Sequence, residues 1–318
     1  MARKIALRVG MFVLSLLVAS VVIFLVVQFL PGDVARIMLG NDASQAEVDA
    51  LRAQLGLDRP LPDRYVEWVG GMLHGDFGTS YFSRVPVTAL IAPRLVVTGW
   101  LVGGSMLLTV LVALPLGMIA ALYRRRWPGV LVSVLSQAGM AVPAFLAGIL
   151  LAVVFSVKLH WLPANGYVPF SSDPVAWARS LVLPIVALAL VQASVLTRYV
   201  RSAFIEVLNE DYYSTARAIG WGRGAAMLRH GLRNASLSLV TVLGLQLASV
   251  LVGAIVVEQV FVLPGLGMQL LSAVAQQDGM VVQGIVMLLV LAVLIINALV
   301  EVLYLVLDPR LAVSEESA

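Results

Sequence analysis

Val9 to Leu30 reads VGMFVLSLLVASVVIFLVVQFL, a run without a charged side chain, closed by Pro31-Gly32-Asp33. A bilayer's hydrocarbon core takes about 20 apolar residues as helix, because backbone groups there find partners only within their own segment. The run meets that length. Arg3, Lys4 and Arg8 precede it, as basic residues precede a cleaved leader. Its apolar core is longer than the usual stretch of about 7–15 residues, and no small-x-small pattern follows, so it reads as an uncleaved first span. Further runs of the same kind lie at Val96–Leu122, Val130–Val157, Leu181–Val200, Leu237–Val257 and Val281–Leu307. Pro115, Pro143 and Pro184 fall inside these runs and read as helix shaping, which lipid-embedded helices tolerate when neighbours satisfy the freed backbone groups. The expectation is an all-α polytopic membrane protein of about six spans.

Composition agrees. Sixty per cent of the 318 residues are hydrophobic and 12% charged, with a mean hydropathy of +0.96. Soluble domains carry roughly a quarter charged residues. The chain has no cysteine, which excludes disulfides and thiolate metal sites, and His74, His160 and His230 lie far apart, so no metal site is expected. Lysine occurs only as Lys4 and Lys158, and neither follows a glycine-rich turn or precedes Ser or Thr. A phosphate-cradling P-loop needs both, so this chain does not bind ATP by that route.

Orientation follows from basic residues in short loops. With the N-terminus inside, the inner segments carry thirteen, six of them arginines between Arg198 and Arg233, against Lys158 and Arg179 in the short outer loops. Both termini are therefore expected in the cytoplasm. The chain divides into an N-terminal segment and first span (1–30), an extracytoplasmic loop (31–95), a permease core (96–307) that includes a cytoplasmic loop (201–236), and a cytoplasmic tail (308–318). In the outer loop Ser44-Gln45-Ala46-Glu47 has capping-box spacing, and the helix it opens is expected to stop at Gly56. Pro62 opens a second, whose Tyr65, Val66, Val69 and Met72 share a face. The loop holds six basic and eight acidic residues, so it is no basic lipid-binding patch.

The polar stretch Arg198–Asn234 reads as two short helices, Phe204–Ala218 and Gly224–Arg233, broken at Gly220-Trp221-Gly222, where glycine permits left-handed conformations. It is long for a linker and rich in apolar residues (Tyr212, Tyr213, Ala216, Ile219, Trp221, Met227, Leu228). A helical hairpin of that kind suits docking into a partner's groove.

At these residues the sequence resembles a known family. Asp211-Tyr-Tyr-Ser-Thr-Ala-Arg-Ala-Ile-Gly220, followed by Leu228-Arg-His-Gly-Leu-Arg-Asn-Ala235, is similar to the coupling-loop signature of ABC importer permeases, in the form of the dipeptide, oligopeptide and nickel group. Leu30-Pro-Gly-Asp33, Leu55-Gly-Leu-Asp-Arg-Pro60 and Gly75-Asp-Phe-Gly-Thr-Ser-Tyr81 resemble the same group. So do Trp161-Leu-Pro-Ala-Asn-Gly-Tyr167, Glu258-Gln-Val-Phe261 with Pro264-Gly-Leu-Gly267, and Asp308-Pro-Arg310. Seven motifs in family order span Leu30 to Arg310. Two positions depart from the pattern: Ile219 stands where the group usually has lysine, and Ser238 where it usually has proline.

The resemblance implies a type I ABC importer permease fold in a bacterial or archaeal cytoplasmic membrane. It implies a second, homologous permease, two ATPase subunits that bind ATP and Mg, and an extracytoplasmic binding protein, with no cofactor in this chain and no nucleic-acid partner. The coupling residues it carries over are Asp211, Tyr213, Thr215, Ala216, Arg217, Ala218, Gly220, Arg229, His230, Arg233 and Asn234. Solutes of the group include dipeptides, oligopeptides, glutathione, nickel chelates and sugars.

Polar residues inside spans are weighed as a translocation path or as hydrogen-bonded glue: Gln192, Gln246, Ser249, Gln283 and Asn297. Glu258, near the outer end of the fifth span, joins them as a carboxylate close enough to the interface to reach water. His74 beside Asp76 lacks a nucleophile and makes no acid–base pair. An intramembrane enzyme would need paired aspartates, a Ser–His pair or a zinc helix inside the spans, and none is present. An ion-coupled carrier would show inverted repeats or mid-membrane charges, and a passive channel would leave the hairpin without a task.

Overall fold

The computed structural model describes residues 2–29, 32–40 and 42–307, and all their side chains except those of 2–6, 230, 233, 234, 237, 238 and 304–307. Leu30-Pro31 and the tail 308–318, with Asp308-Pro-Arg310, lie outside the described residues. Among the described residues the chain is helical, with one isolated β-bridge between Thr79 and Pro86.

Among the described residues five helices are long and apolar enough to cross a membrane. These are α1 (Ala2–Gln28), α5 (Val87–Leu122), α8 (Pro174–Leu208), α11 (Leu232–Phe261) and α13 (Gly279–Leu307). A bent pair, α6 (Trp127–Ala141) and α7 (Ala144–Leu151, continued by π turns to Lys158), inclined at 101°, is long and apolar enough for a sixth crossing when taken together. The expected span Val130–Val157 is thus sharply bent at Pro143. Pro143 lacks an N–H and crowds the preceding residue; Val142 takes the extended conformation (φ −90, ψ 121) that stops α6, and Pro143 caps α7. Pro184, by contrast, sits inside the continuous α8.

Short helices fill the connections: α2 (Val34–Leu39), α3 (Gln45–Gln54), α4 (Leu61–Leu73), α9 (Asp211–Ala218), α10 (Arg223–Ala226) and α12 (Leu266–Ala275). The chain forms two compact units, residues 1–98 with 264–294 and residues 99–263 with 295–318.

In the first unit the capping box forms as read. Ser44 Oγ accepts from Glu47 N at 3.4 Å, and Glu47 Oε2 accepts from Ser44 N at 2.8 Å. Ser44 Oγ also donates to Glu47 Oε2 at 2.7 Å, and this bond, with the one from Ser44 N, holds the Glu47 carboxyl below the usual carboxylate range. Gly56, at φ +68, ends α3 with the paired bonds Leu57 N to Arg52 O (3.0 Å) and Gly56 N to Ala53 O (3.1 Å). The apolar face of α4 differs from the expected one by a step around the helix. Trp68 is buried and Val66 is 67% exposed, because Phe24 of α1 stacks on Trp68 (6.1 Å between rings) and meets Tyr65 edge-on (5.4 Å). Asp278, buried between α12 and α13, accepts from Ser80 Oγ at 2.5 Å and Tyr81 N at 3.3 Å.

In the second unit α8 is the central helix, packed against α6, α7 and α11. Small residues let the backbones approach, as is usual between lipid-embedded helices. A Cβ on Gly148 of α7 would sit 2.9 Å from Phe261 of α11, and one on Gly139 of α6 would meet Ser194 of α8 at 2.1 Å.

Candidate functional site

At 1.5 Å per residue the 35 residues of α8 extend about 52 Å, against about 30 Å of hydrocarbon, so the helix continues well past a membrane. It does not break at Phe204, where the sequence suggested a new helix. It runs to Leu208 and turns at Asn209-Glu210 into α9. The second expected helix, Gly224–Arg233, is likewise not separate: α10 passes through a π segment (Met227–Gly231) directly into α11. Polar composition marks where a chain leaves lipid, not where its helix stops. The hairpin is therefore two long helices whose ends are bridged by α9.

One face of α9 is inward. Tyr213 and Ala216, three residues apart, are buried in a cluster with Phe204 and Val207 of α8, Ala226, Met227, and Ala235 and Leu239 of α11. The Tyr213 hydroxyl reaches Arg223 O at 3.5 Å. The opposite face is open: Asp211, Thr215, Arg217 and Ala218 are exposed, and Thr215 Oγ1 donates to Asp211 O at 2.9 Å. Asp211 in the first turn and Arg217 in the last complement the helix dipole.

The tip is a specific backbone motif. Trp221 N donates to Ala216 O at 3.1 Å and Gly220 N to Arg217 O at 3.2 Å, the paired closure that requires a left-handed residue just beyond the helix. Gly220 supplies it at φ +101, with nothing within 4 Å of where its Cβ would be. Arg217 donates to Trp221 O, and the Arg229 guanidinium lies 5.2 Å from the centre of the Trp221 ring. Ile219 beside Gly220 is 71% exposed. The backbone of His230 lies in the π segment and that of Arg233 and Asn234 in the first turn of α11; their side chains, and that of Ser238, lie outside the described residues.

Sequence reasoning did not assign roles to Trp221, whose carbonyl and ring close the tip, or to Gly231. A Cβ on Gly231 would stand 2.6 Å from Val207, so glycine is what lets the two arms meet. The signal was present in both cases, a tryptophan between glycines and a glycine in a polar helix, but neither reveals its partner.

The polar positions do not form one constellation. Gln246, buried, donates from Nε2 to the half-buried Gln192's carbonyl oxygen at 3.1 Å, which is a contact between α11 and α8; its Oε1 is buried without a partner. Ser249 is exposed on an α11 face with Leu245 and Val252, and Asn297 is exposed on α13. Gln283 is buried in the first unit. Glu258 corrects its expectation: it is 0% exposed instead of reaching interfacial water. The end of α11 is covered, since Phe261 O accepts from Gly166 N at 3.0 Å in the loop after α7. Val262 closes the helix in the left-handed conformation (φ 52, ψ 47), with Leu263 N bonded to Glu258 O at 2.9 Å. Among the described residues no group of three or more His, Cys, Asp or Glu could hold a metal ion.

Residues 113–313 match the family described as the binding-protein-dependent transport system inner membrane component, and residues 1–101 match its N-terminal companion. The glutathione transport system permease protein GsiC of Salmonella paratyphi A is 43% identical over 297 residues, covering 93% of this chain and 94% of that protein. The protein of the same name from Escherichia coli K12 is 41% identical over the same shares. Among solved structures, an inward-facing MetNI methionine ABC transporter chain is similar in fold, with a TM-score of 0.57 at 18% identity, covering 70% of this chain and 97% of that one.

Proposed function

Because the chain belongs to the inner membrane components of binding-protein-dependent transport systems and is the permease subunit of an ABC importer, we propose that its Asp211–Asn234 hairpin is the contact through which separate ATPase subunits drive it. The observation that carries this reading is the hairpin's construction. Its tip exposes Ile219 and Gly220, while Tyr213 and Ala216 clamp it to both α8 and α11. A contact at the tip therefore moves two spans together, which is what alternating access requires of a lever.

On this reading the hairpin and both termini face the cytoplasm, in agreement with the basic-residue bias, and the membrane is a bacterial or archaeal cytoplasmic membrane. The chain itself is non-catalytic. ATP and Mg are held by two partner ATPases, a second homologous permease completes the pathway, and an extracytoplasmic binding protein delivers the solute. The exposed apolar stripe of α11 around Ser249 and the exposed Asn297 fit a surface facing that second permease. The resemblance to glutathione permeases favours a peptide-type solute, glutathione or a similar short peptide.

The test is reconstitution with the partner subunits. ATP-dependent uptake of labelled glutathione or a dipeptide is expected, with hydrolysis retained and uptake lost in Gly220→Trp. Uptake by this chain alone without ATP would reject the importer mechanism. Parent-rate uptake by Gly220→Trp would reject the hairpin's role.

A further inference from the structure

In the second unit the end of α5 and the start of α6 are joined by four residues, Tyr123-Arg124-Arg125-Arg126. The apolar run of α5 ends at Leu122 and that of α6 begins at Trp127, so this turn is where the chain leaves the hydrocarbon and returns to it. Its backbone is tightly closed. Arg126 N donates to Tyr123 O at 2.8 Å and Val130 N to Arg126 O at 3.2 Å, and a Cβ on Gly129 would stand 2.3 Å from Tyr123 O. Glycine at 129 therefore lets the first turn of α6 press onto the connection, and three consecutive guanidinium groups ride on a short, well-held piece of chain.

Arg124, Arg125 and Arg126 are all exposed, and among the described residues none of the three side chains has an ion pair or a hydrogen bond. Like charges at that spacing repel one another, and more strongly beside a low-dielectric membrane than in bulk water. Below them the outward face of α6 is apolar. Trp127 is 76% exposed, and Val130, Leu131 and Val134 follow it at helical spacing, all exposed. The opposite face of α6 is taken up by α8, where Gly139 lies against Ser194. Tyr123 is exposed at the other end of the turn, so an aromatic ring flanks the arginines on each side. Such rings favour the depth between headgroups and acyl chains.

We propose that this turn is a binding site for an anionic phospholipid, its phosphate held by Arg124, Arg125 and Arg126 and its acyl chains lying along the Trp127–Val134 face. Membrane topology accounts for basic residues in a short loop. It does not call for three of them on one closed turn, without a carboxylate paired to any, at the head of an exposed apolar stripe. A soluble anion meets only the charges. A zwitterionic lipid meets the stripe, but its own ammonium group is repelled by the guanidinium groups. The site lies outside the coupling hairpin and binds without ATP or solute, so its test stands apart from the importer mechanism.

The experiment is native mass spectrometry of the purified transporter complex, titrated with phosphatidylglycerol, with phosphatidylcholine and with glycerol 3-phosphate as the soluble headgroup. Saturable binding of phosphatidylglycerol is expected, at least tenfold tighter than either of the other two. An arginine near an anionic headgroup contributes about fivefold. Arg125→Gln is therefore expected to weaken this lipid about fivefold, and the triple variant R124Q/R125Q/R126Q roughly 100-fold. Trp127→Ala is expected to weaken it several-fold and Trp127→Phe less. Lys158→Gln, which removes an exposed cation at the end of the π segment after α7, is expected to leave it unchanged. Phosphatidylcholine held as tightly as phosphatidylglycerol would overturn the proposal, as would glycerol 3-phosphate bound equally well. Parent affinity in the triple variant would overturn it too; if that variant does not assemble, parent affinity in both Arg125→Gln and Trp127→Ala decides against it in the same way.

Discussion

Replacing Gly220 by alanine isolates the backbone's contribution at the hairpin tip. Nothing lies within 4 Å of the added methyl, so packing is not disturbed and the whole cost is conformational. Gly220 sits at φ +101, and a left-handed residue with a Cβ costs about 1–2 kcal/mol. The bonds at risk are Trp221 N to Ala216 O and Gly220 N to Arg217 O, which close an eight-residue helix too short to hold itself. A loss of about 1–2 kcal/mol raises the opened population roughly 5- to 30-fold. Amide hydrogen exchange at positions 220 and 221 is therefore expected to accelerate by that factor, and uptake per ATP hydrolysed to fall with it. Gly220→Asn, which tolerates left-handed backbone, is expected to lose less. Gly222→Ala is the control, because Gly222 lies at φ −61 and has open space around it. If Gly220→Ala and Gly222→Ala exchanged alike, the tip would not depend on its left-handed closure and the lever argument would fail at its first step.

Three further outcomes follow from other positions. Asp278→Ala leaves Ser80 Oγ and Tyr81 N without their buried acceptor and is expected to destabilise the 76–86 segment by about 1–3 kcal/mol, seen as faster exchange at residue 81 and a lower Tm. Val262→Gly relieves a β-branched residue at φ 52 and is expected to raise stability by about 1 kcal/mol; a lower Tm would contradict the strain assigned there. Because the folded Glu47 carboxyl titrates below its usual range, its capping contribution is complete above the unfolded pKa and is lost as pH falls through the folded one. Protection of the α3 amides, corrected for intrinsic exchange, is expected to decline through acid pH in the parent and to be flat in Glu47→Gln.

The spans were legible because apolar length is a property of sequence alone, and so were Gly56 and Gly220, where a glycine after a helical run marks a left-handed closure. The capping box at Ser44 was equally local. What escaped was whatever depended on the partner of a side chain. Pro143 and Pro184 look alike in sequence, yet one ends a helix at a 101° bend and the other lies within α8. Phe204 looked like the start of a hairpin helix because the surrounding residues turn polar, while the backbone hydrogen bonds continue unbroken to Leu208. Glu258 looked close to water, but a loop distant in sequence covers the end of its helix. Trp68 replaced Val66 on the inner face of α4 because Phe24 offers a ring to stack on.

The π segment Met227–Gly231 joins the hairpin's second arm to α11 through turns wider than those on either side. Such a turn holds one residue of slack. Taking it up as α-helix would advance every later residue by one position, a rotation of about 100° with a rise of 1.5 Å, and would break no covalent bond. The same slack, if taken up, would turn α11 about its own axis and carry Gln246, Ser249 and Glu258 around with it.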